Sequence, residues 1–239
     1  MHDDVPSDAL LTVRDLRAWY DESQVLHGIN FYVRKGEVVT LLGRNGAGKS
    51  TTLKSIMGMI DKCSGHIGFA GKNCTELSSD RIARLGIAFC PEERGIYASL
   101  SVEENLMLPP VIASGGMTIA EIYKIFPNLW ERRNSHGTKM SGGEQQMLAI
   151  ARILRTGATV LMLDEPTEGL APVIVEQIGK VIQTLKQRGF TIVLVEQNSR
   201  FAQACADRHY IVEHGRTVDM IDARDFDSDS DRVKSFLSV

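Results

Sequence analysis

At 239 residues and 43% hydrophobic composition, the chain can bury one large core or two small ones. Lys and Arg total 27 against 30 Asp and Glu, a formal net charge of −3, so no positive excess draws it to nucleic acid or to a membrane surface. Its longest apolar runs, such as VVTLLG and TVLMLD, fall far short of the roughly 20 residues a spanning helix needs, and Cys63, Cys74, Cys90 and Cys205 lack the paired spacing of a zinc site or disulfide framework.

The opening MHDDVPSDAL is acidic, with neither the basic start nor the apolar centre of a secretory signal, so the protein is expected to stay in the cytosol. Apolar runs bounded by Gly, Pro and charge predict strands at HGINFYV (27–33), VVTLLG (38–43), IAFC (87–90), TVLMLD (159–164), FTIVLVE (190–196) and RHYIVE (208–213). Several are continuous rather than alternating, as in strands buried on both faces, which favours a parallel sheet covered by helices. Leu53, Ile56, Met57 and Ile60 predict a helix after Gly48, and Ile174, Ile178, Val181, Ile182 and Leu185 predict a second. From about Ser99 to Leu154 strand signals give way to capping boxes, Ser101 with Glu104 and Thr118 with Glu121. This stretch reads as a helical insert, its first helix ended by Pro109 and Pro110 and followed by a flexible connector, ASGGM (113–117). The tail DARDFDSDSDRVKSFLSV (222–239) reads equally as a mobile solvated end or as a peripheral element closed by a short amphipathic stretch.

Three segments carry chemistry. GRNGAGKS, Gly43 to Ser50, follows a predicted strand and opens a helix, the context a phosphate loop requires. The backbone of Gly43, Arg44, Asn45, Gly46, Ala47 and Gly48 would turn its amides toward phosphate oxygens. Lys49 would supply charge to the β- and γ-phosphates and Ser50 a ligand to Mg²⁺, with Thr51 completing the candidate ATP-binding set. TVLMLDEPTEG, Thr159 to Gly169, is a buried strand ending in two carboxylates. Adjacent strand residues face opposite ways, so Asp164 is expected at Mg²⁺ and Glu165 at the water that attacks the γ-phosphate. In KMSGGEQQMLAIARIL, Met147, Ile150, Ala151 and Leu154 give a helix a buried face. Ser141, Gly142, Gly143 and Glu144 stand at its start, where they form either a simple cap or an anion grip.

The phosphate loop, the MSGGEQQ stretch and VLMLDEP, in this chain order, resemble the nucleotide-binding subunits of ATP-binding-cassette (ABC) transporters over nearly the whole chain. The resemblance implies a single α/β domain over residues 1–239, of the phosphate-loop NTPase class. It would have a mostly parallel core, an N-terminal antiparallel β part and a helical subdomain at about 99–154. It further implies that Ser141 to Glu144 contact the γ-phosphate held by a second subunit, that Tyr20 (with Trp19 as a competitor) stacks on adenine, and that GLAP (169–172) links two nucleotide sites. Glu93, Arg94 and Tyr97 lie where the family receives its membrane subunit, though an ordinary charged loop fits them as well.

Two positions depart from the family pattern. Glu92 stands where most members carry a Gln at Mg²⁺, and Gln197 where most carry a switch His. Gln197 cannot change charge but can donate a hydrogen bond to phosphate, which leaves hydrolysis resting more heavily on Glu165. The catalytic set is thus Glu165, Lys49 and Gln197, and the metal set Ser50, Asp164 and Glu92. These departures, with DEPTEGLAP and LVEQN, resemble the ATPases of branched-chain amino acid importers, with urea and amide importers close behind. That branch implies ATP and Mg²⁺ as cofactors, a second ATPase subunit of the same or a different kind, two transmembrane permeases and, indirectly, a solute-binding protein. It implies no nucleic acid and a place on the cytoplasmic face of the membrane. An exporter ATPase and a soluble switch protein acting on ribosomes or DNA are the alternatives.

Overall fold

The computed structural model describes residues 6–113, 116–228 and 230–237, so Ser114 and Gly115 of the expected connector, and Met1 to Val5 of the opening stretch, lie outside the described residues. The chain begins with a long hairpin, β1 (Ala9–Tyr20) and β2 (Ser23–Arg34). The buried strand β3 (Val38–Leu42) then feeds α1 (Lys49–Ile56). β4 (Lys62–Phe69) and the two-residue β5 (Lys72–Asn73) return to the hairpin before α2 (Ser79–Arg84) and β6 (Ile87–Cys90). Next come α3 (Val102–Met107), α4 (Ile119–Ile125), α5 (Pro127–Glu131), a 3-10 turn (Gly137–Lys139) and α6 (Gly142–Leu154). The chain closes with β7 (Val160–Asp164), α7 (Pro172–Gln187), β8 (Thr191–Glu196), α8 (Ser199–Cys205), β9 (Arg208–Glu213), β10 (Arg216–Asp222) and α9 (Asp231–Leu237).

Laterally the strands run β5-β4-β1-β2-β10-β9-β3-β8-β7-β6. β9, β3, β8, β7 and β6 are parallel neighbours, while β1, β2, β4 and β5 form an antiparallel lobe. One parallel bridge, Arg216 to Gly28, joins the two parts. Arg208 reinforces the joint: its guanidinium forks onto Glu37 at 2.6 and 2.8 Å and donates to the Tyr32 carbonyl at 3.0 Å.

The continuous apolar strands are buried on both faces, as their composition requires. In β7, Val160 and Met162 enter the core under the antiparallel lobe and α1, while Leu161 and Leu163 enter the core under α6, α7 and α8. β8 alternates the same way, with Ile192 and Leu194 on one side and Val193 and Val195 on the other. Each such side chain contributes about 1.5–3 kcal/mol on burial, so the central strands are held from two sides and their C-terminal ends form a firm platform.

Several elements escape the sequence expectations. β1, β4, β5 and β10 lie outside the predicted strands: the apolar positions of β1, β4 and β10 are interrupted by charged or polar residues, β5 is only Lys72 and Asn73, and the pairing of β1 is irregular, with Asp15 at φ 45° in the shift between Val13 and Leu16. The α1 stripe was expected to reach Ile60, but the helix ends at Ile56 with Met57 as its cap, and Gly58 at φ 63° turns the chain away. The two capping boxes form, and α3 stops at Met107 just ahead of Pro109. The described part of the tail docks: Phe226 stacks on the buried His209 ring at 3.8 Å, Gln203 holds the backbone of Phe226 and Ser228, and Arg232 pairs with Asp219.

Candidate functional site

The phosphate loop leaves the end of β3 and closes at Gly48, the N-cap of α1, where φ is 104° and a Cβ would lie 2.7 Å from the Leu26 side chain. Both strain and contact therefore exclude a side chain there. Arg44, Asn45 and Gly46 are exposed at the tip, whereas Gly43, Ala47 and Gly48 are buried. The Ala47 amide closes onto the Arg44 carbonyl at 3.1 Å, and the Ala47 carbonyl is tied to the Gly215 amide at 2.8 Å. The loop surrounds a cavity of about 380 Å³ lined by Asn45, Gly46, Gly48, Lys49, Ser50 and Thr51 from the loop side and by Val25, Glu92, Glu165 and Glu168 opposite.

Lys49 is almost wholly buried and fully engaged. Its ammonium donates to the Gly43 carbonyl at 2.9 Å and the Arg44 carbonyl at 3.0 Å, and pairs with Glu165 Oε1 at 3.1 Å. The second Glu165 oxygen accepts the Gln197 amide at 2.6 Å. Burial acts to raise the Glu165 carboxyl, but Lys49 and then Gln197 outweigh it and hold the group below the usual carboxylate range, so it is ionised. Glu165 is not a strand residue, contrary to the alternation expected from sequence. β7 ends at Asp164, and Glu165 follows in the left-handed region at φ 43°, its amide bonded to the Val195 carbonyl at 3.0 Å. A non-glycine residue there stores about 1–3 kcal/mol of strain, which the surrounding bonds must hold.

Ser50 and Asp164 meet directly, hydroxyl to Oδ1, at 2.9 Å. Burial pushes the Asp164 carboxyl up to about 6, against the lowering effect of Ser50. Glu92 shares the cavity with Glu168, whose carboxyl its charge helps to raise. Among the described residues no three His, Cys, Asp or Glu converge as a metal cage. Two adjacent hard oxygen donors, Ser50 and Asp164, beside the phosphate-loop cavity nevertheless fit Mg²⁺, which takes one or two protein ligands and completes its shell with phosphate and water.

Sequence reasoning missed two lining residues. Val25 comes from a strand recognised only from His27 onward, and Glu168 carries no motif signal by itself. The hydrogen bond to Glu165, with burial, pushes the Glu168 carboxyl up to about 7.

The SGG segment lies elsewhere: none of Ser141 to Glu144 lines this cavity. Ser141 caps α6 in a complete capping box, its hydroxyl accepting the Glu144 amide at 3.3 Å and Glu144 Oε2 accepting the Ser141 amide at 2.8 Å. The amides of Gly142 and Gly143 belong to the first turn, where a helix has no intrahelical acceptor to offer. Gly143 is buried, and a Cβ on it would stand 2.7 Å from Ile174 of α7. Tyr20 stands 45% exposed at the end of β1, outside the cavity lining, while Trp19 is engaged by Lys62 at 5.7 Å from its ring centre. Tyr20 is therefore the aromatic left open to a flat ligand.

The four cysteines are free thiols, and burial pushes Cys90 and Cys205 up to about 12. No helix among the described residues is long and apolar enough to cross a membrane.

The ABC transporter family model matches residues 26–168. The high-affinity branched-chain amino acid transport ATP-binding protein BraG of Pseudomonas aeruginosa is 42% identical over 212 residues, covering 87% of this chain and 91% of that one. The lipopolysaccharide export system ATP-binding protein LptB of Escherichia coli is 32% identical, covering 88% and 89%. Among solved structures, the fold matches an ATP-binding cassette seen as a dimer bound to ADP and Pi, with a TM-score of 0.79, 24% identity and coverage of 90% and 100%. A phosphate loop facing two carboxylates, on this fold and with these relatives, makes the chain a member of the ABC transporter family and one of its ATP-binding, ATP-hydrolysing subunits.

Proposed function

We propose that the chain powers an importer of branched-chain amino acids or related solutes, peripheral to the cytoplasmic face of the membrane, through ATP-driven closure and reopening of a two-subunit clamp. The observation that carries the hydrolytic reading is the buried, ionised Glu165 held between Lys49 and Gln197. When ATP enters, Lys49 exchanges Glu165 for the β- and γ-phosphates, beside the loop amides of residues 43–51. Glu165, released from its ion pair, orients the attacking water and receives its proton, and Gln197 turns its amide toward the γ-phosphate. Ser50 and Asp164, with Glu92, would hold Mg²⁺, which neutralises phosphate charge when bound. Tyr20 would stack on adenine.

Ser141 to Glu144 would serve the nucleotide of the second ATPase subunit. Their absence from the lining of this chain's own phosphate cavity supports that arrangement. Of the two permeases, one would dock on this chain at the loop carrying Glu93, Arg94 and Tyr97, the last 55% exposed. A double link joins that loop to α6: Arg94 donates to Gln146 at 3.2 Å and Gln145 at 3.4 Å, and Arg152 donates back to the Gly95 carbonyl. A push on the loop would therefore reach the helix that begins at Ser141.

The importer reading draws on the likeness to BraG. The likeness to LptB supports a second reading, an exporter ATPase. Affinity purification of the chain from its own membranes, with the co-purifying proteins identified and ATP hydrolysis assayed in the same sample, separates them. Recovery of two permeases, a second ATPase and a solute-binding protein that stimulates hydrolysis supports import. Recovery of permeases whose hydrolysis responds to lipid or polysaccharide instead overturns it.

A further inference from the structure

Three consecutive residues at the end of β8 each hold a different point of the chain that follows β7. The Val195 carbonyl accepts the Glu165 amide at 3.0 Å, Gln197 donates to the Glu165 carboxylate at 2.6 Å, and Glu196 Oε1 accepts the Thr167 hydroxyl at 2.7 Å. The first two act on Glu165 itself, whereas the third has no part in the scheme above. Glu196 is 3% exposed and absent from the cavity lining, and its second oxygen receives the Asn198 amide at a long 3.4 Å. A carboxyl in such a place costs stability that an apolar residue would not. Thr167 sits in the middle of a tight turn in which the Glu168 amide bonds the Glu165 carbonyl at 3.2 Å and the Leu170 amide bonds the Thr167 carbonyl at 3.3 Å.

We propose that Glu196 is a positioning residue for ATP hydrolysis: through Thr167 it clamps the turn from Glu165 to Leu170 onto β8 and fixes where the Glu165 carboxylate points. The inference rests on Glu165 as the group that orients the attacking water. Its physical basis is the left-handed backbone of Glu165, at φ 43°, which persists only while both of its flanks are anchored. Val195 is the anchor on the near side, and the Thr167–Glu196 bond is the anchor on the far side. Without the far anchor the turn relaxes and the carboxylate shifts relative to the phosphates, while the residues that bind ATP stay in place. A shift of about 1 Å at a reacting group lowers turnover by up to roughly a hundredfold.

The test is steady-state hydrolysis by the purified ATPase–permease complex carrying Thr167→Val, Thr167→Ser, Glu196→Leu, Glu196→Gln or the Thr167→Val/Glu196→Leu pair, with Glu165→Gln in parallel. We expect Thr167→Val and Glu196→Leu each to lower kcat roughly tenfold with KM for ATP within about twofold, and the pair to be no worse than either alone. Thr167→Ser and Glu196→Gln, which keep a donor and an acceptor, retain most of the activity. Wild-type kcat in Thr167→Val, a KM change matching the fall in kcat, or effects that multiply in the pair would each overturn the proposal. Thr167→Val nearly preserves shape, so it decides the matter if Glu196→Leu does not fold. Loss of turnover in Glu165→Gln beside normal Thr167→Val removes the positioning role alone, whereas normal turnover in Glu165→Gln removes both readings.

Discussion

The charges at the centre of the site are few, and each is committed. Lys49 and Glu165 neutralise one another in a place where neither could remain charged alone, since an unpaired buried ion costs several kcal/mol. In the proposed mechanism the same pair is poised, because incoming phosphate oxygens would replace the carboxylate on Lys49 and release it as a base. Glu196 shows the opposite situation. Burial pushes its carboxyl up to about 7, Thr167 and the Asn198 amide only partly opposing this, and the nearby charge of Glu165 raises it further. A carboxyl whose folded pKa exceeds its unfolded value binds more protons when folded, so stability falls as pH rises from the unfolded value near 4.5 through about 7. Glu196→Gln should therefore gain up to about 3 kcal/mol over wild type at pH 8 and almost nothing at pH 4. Urea unfolding at both pH values measures this, and an equal gain at both would refute the burial argument.

At the scale of elements, the parallel core and its loops were legible because their signals are local. β3, β7 and β8 are dense apolar runs, broken only by Thr40 inside β3 and by polar residues at the ends of β7 and β8, and the phosphate loop is a spacing of glycines and Lys49 that survives any context. In the antiparallel lobe, β2 is legible from its apolar run, but β1 and β4 are not, for a physical reason: they are half solvated and bulged, so charge interrupts their pattern and pairing decides their conformation. The backbone of Glu165 was misjudged because a strand ends where its neighbours stop pairing, which no residue of VLMLDEP announces. Packing also gave glycine a second duty. Gly143 opens α6 and lets α7 approach, so Gly143→Ala should press on the stiff Ile174 side chain and destabilise the protein by about 1–3 kcal/mol, measurable as a lower midpoint in urea. Phe226→Ala should cost about 3–5 kcal/mol and raise amide exchange across α9 and the strands it covers, since the tail is held by the His209 stack and its small cluster. Unchanged exchange there would mean that the tail is anchored by other contacts.

For the whole molecule, the cavity stands where separate parts of the fold meet. Val25 comes from the antiparallel lobe, Lys49 and Ser50 from the mouth of the parallel core, Glu92 from the loop leading toward the helices, and Glu165 and Glu168 from the turn beyond β7. A ligand bound there touches every part that would have to move, and α6 is tied to the Glu92–Tyr97 loop through Arg94 and Arg152. On the proposed mechanism nucleotide binding and nucleotide cleavage are separable, the first belonging to the phosphate loop and the second to Glu165. The most direct test is the Glu165→Gln variant in the purified ATPase–permease complex, incubated with MgATP and then analysed for the nucleotide it retains. ATP should be held intact, with turnover lowered by at least about a hundredfold; release of ADP and phosphate at the wild-type rate would rule out Glu165 as the base.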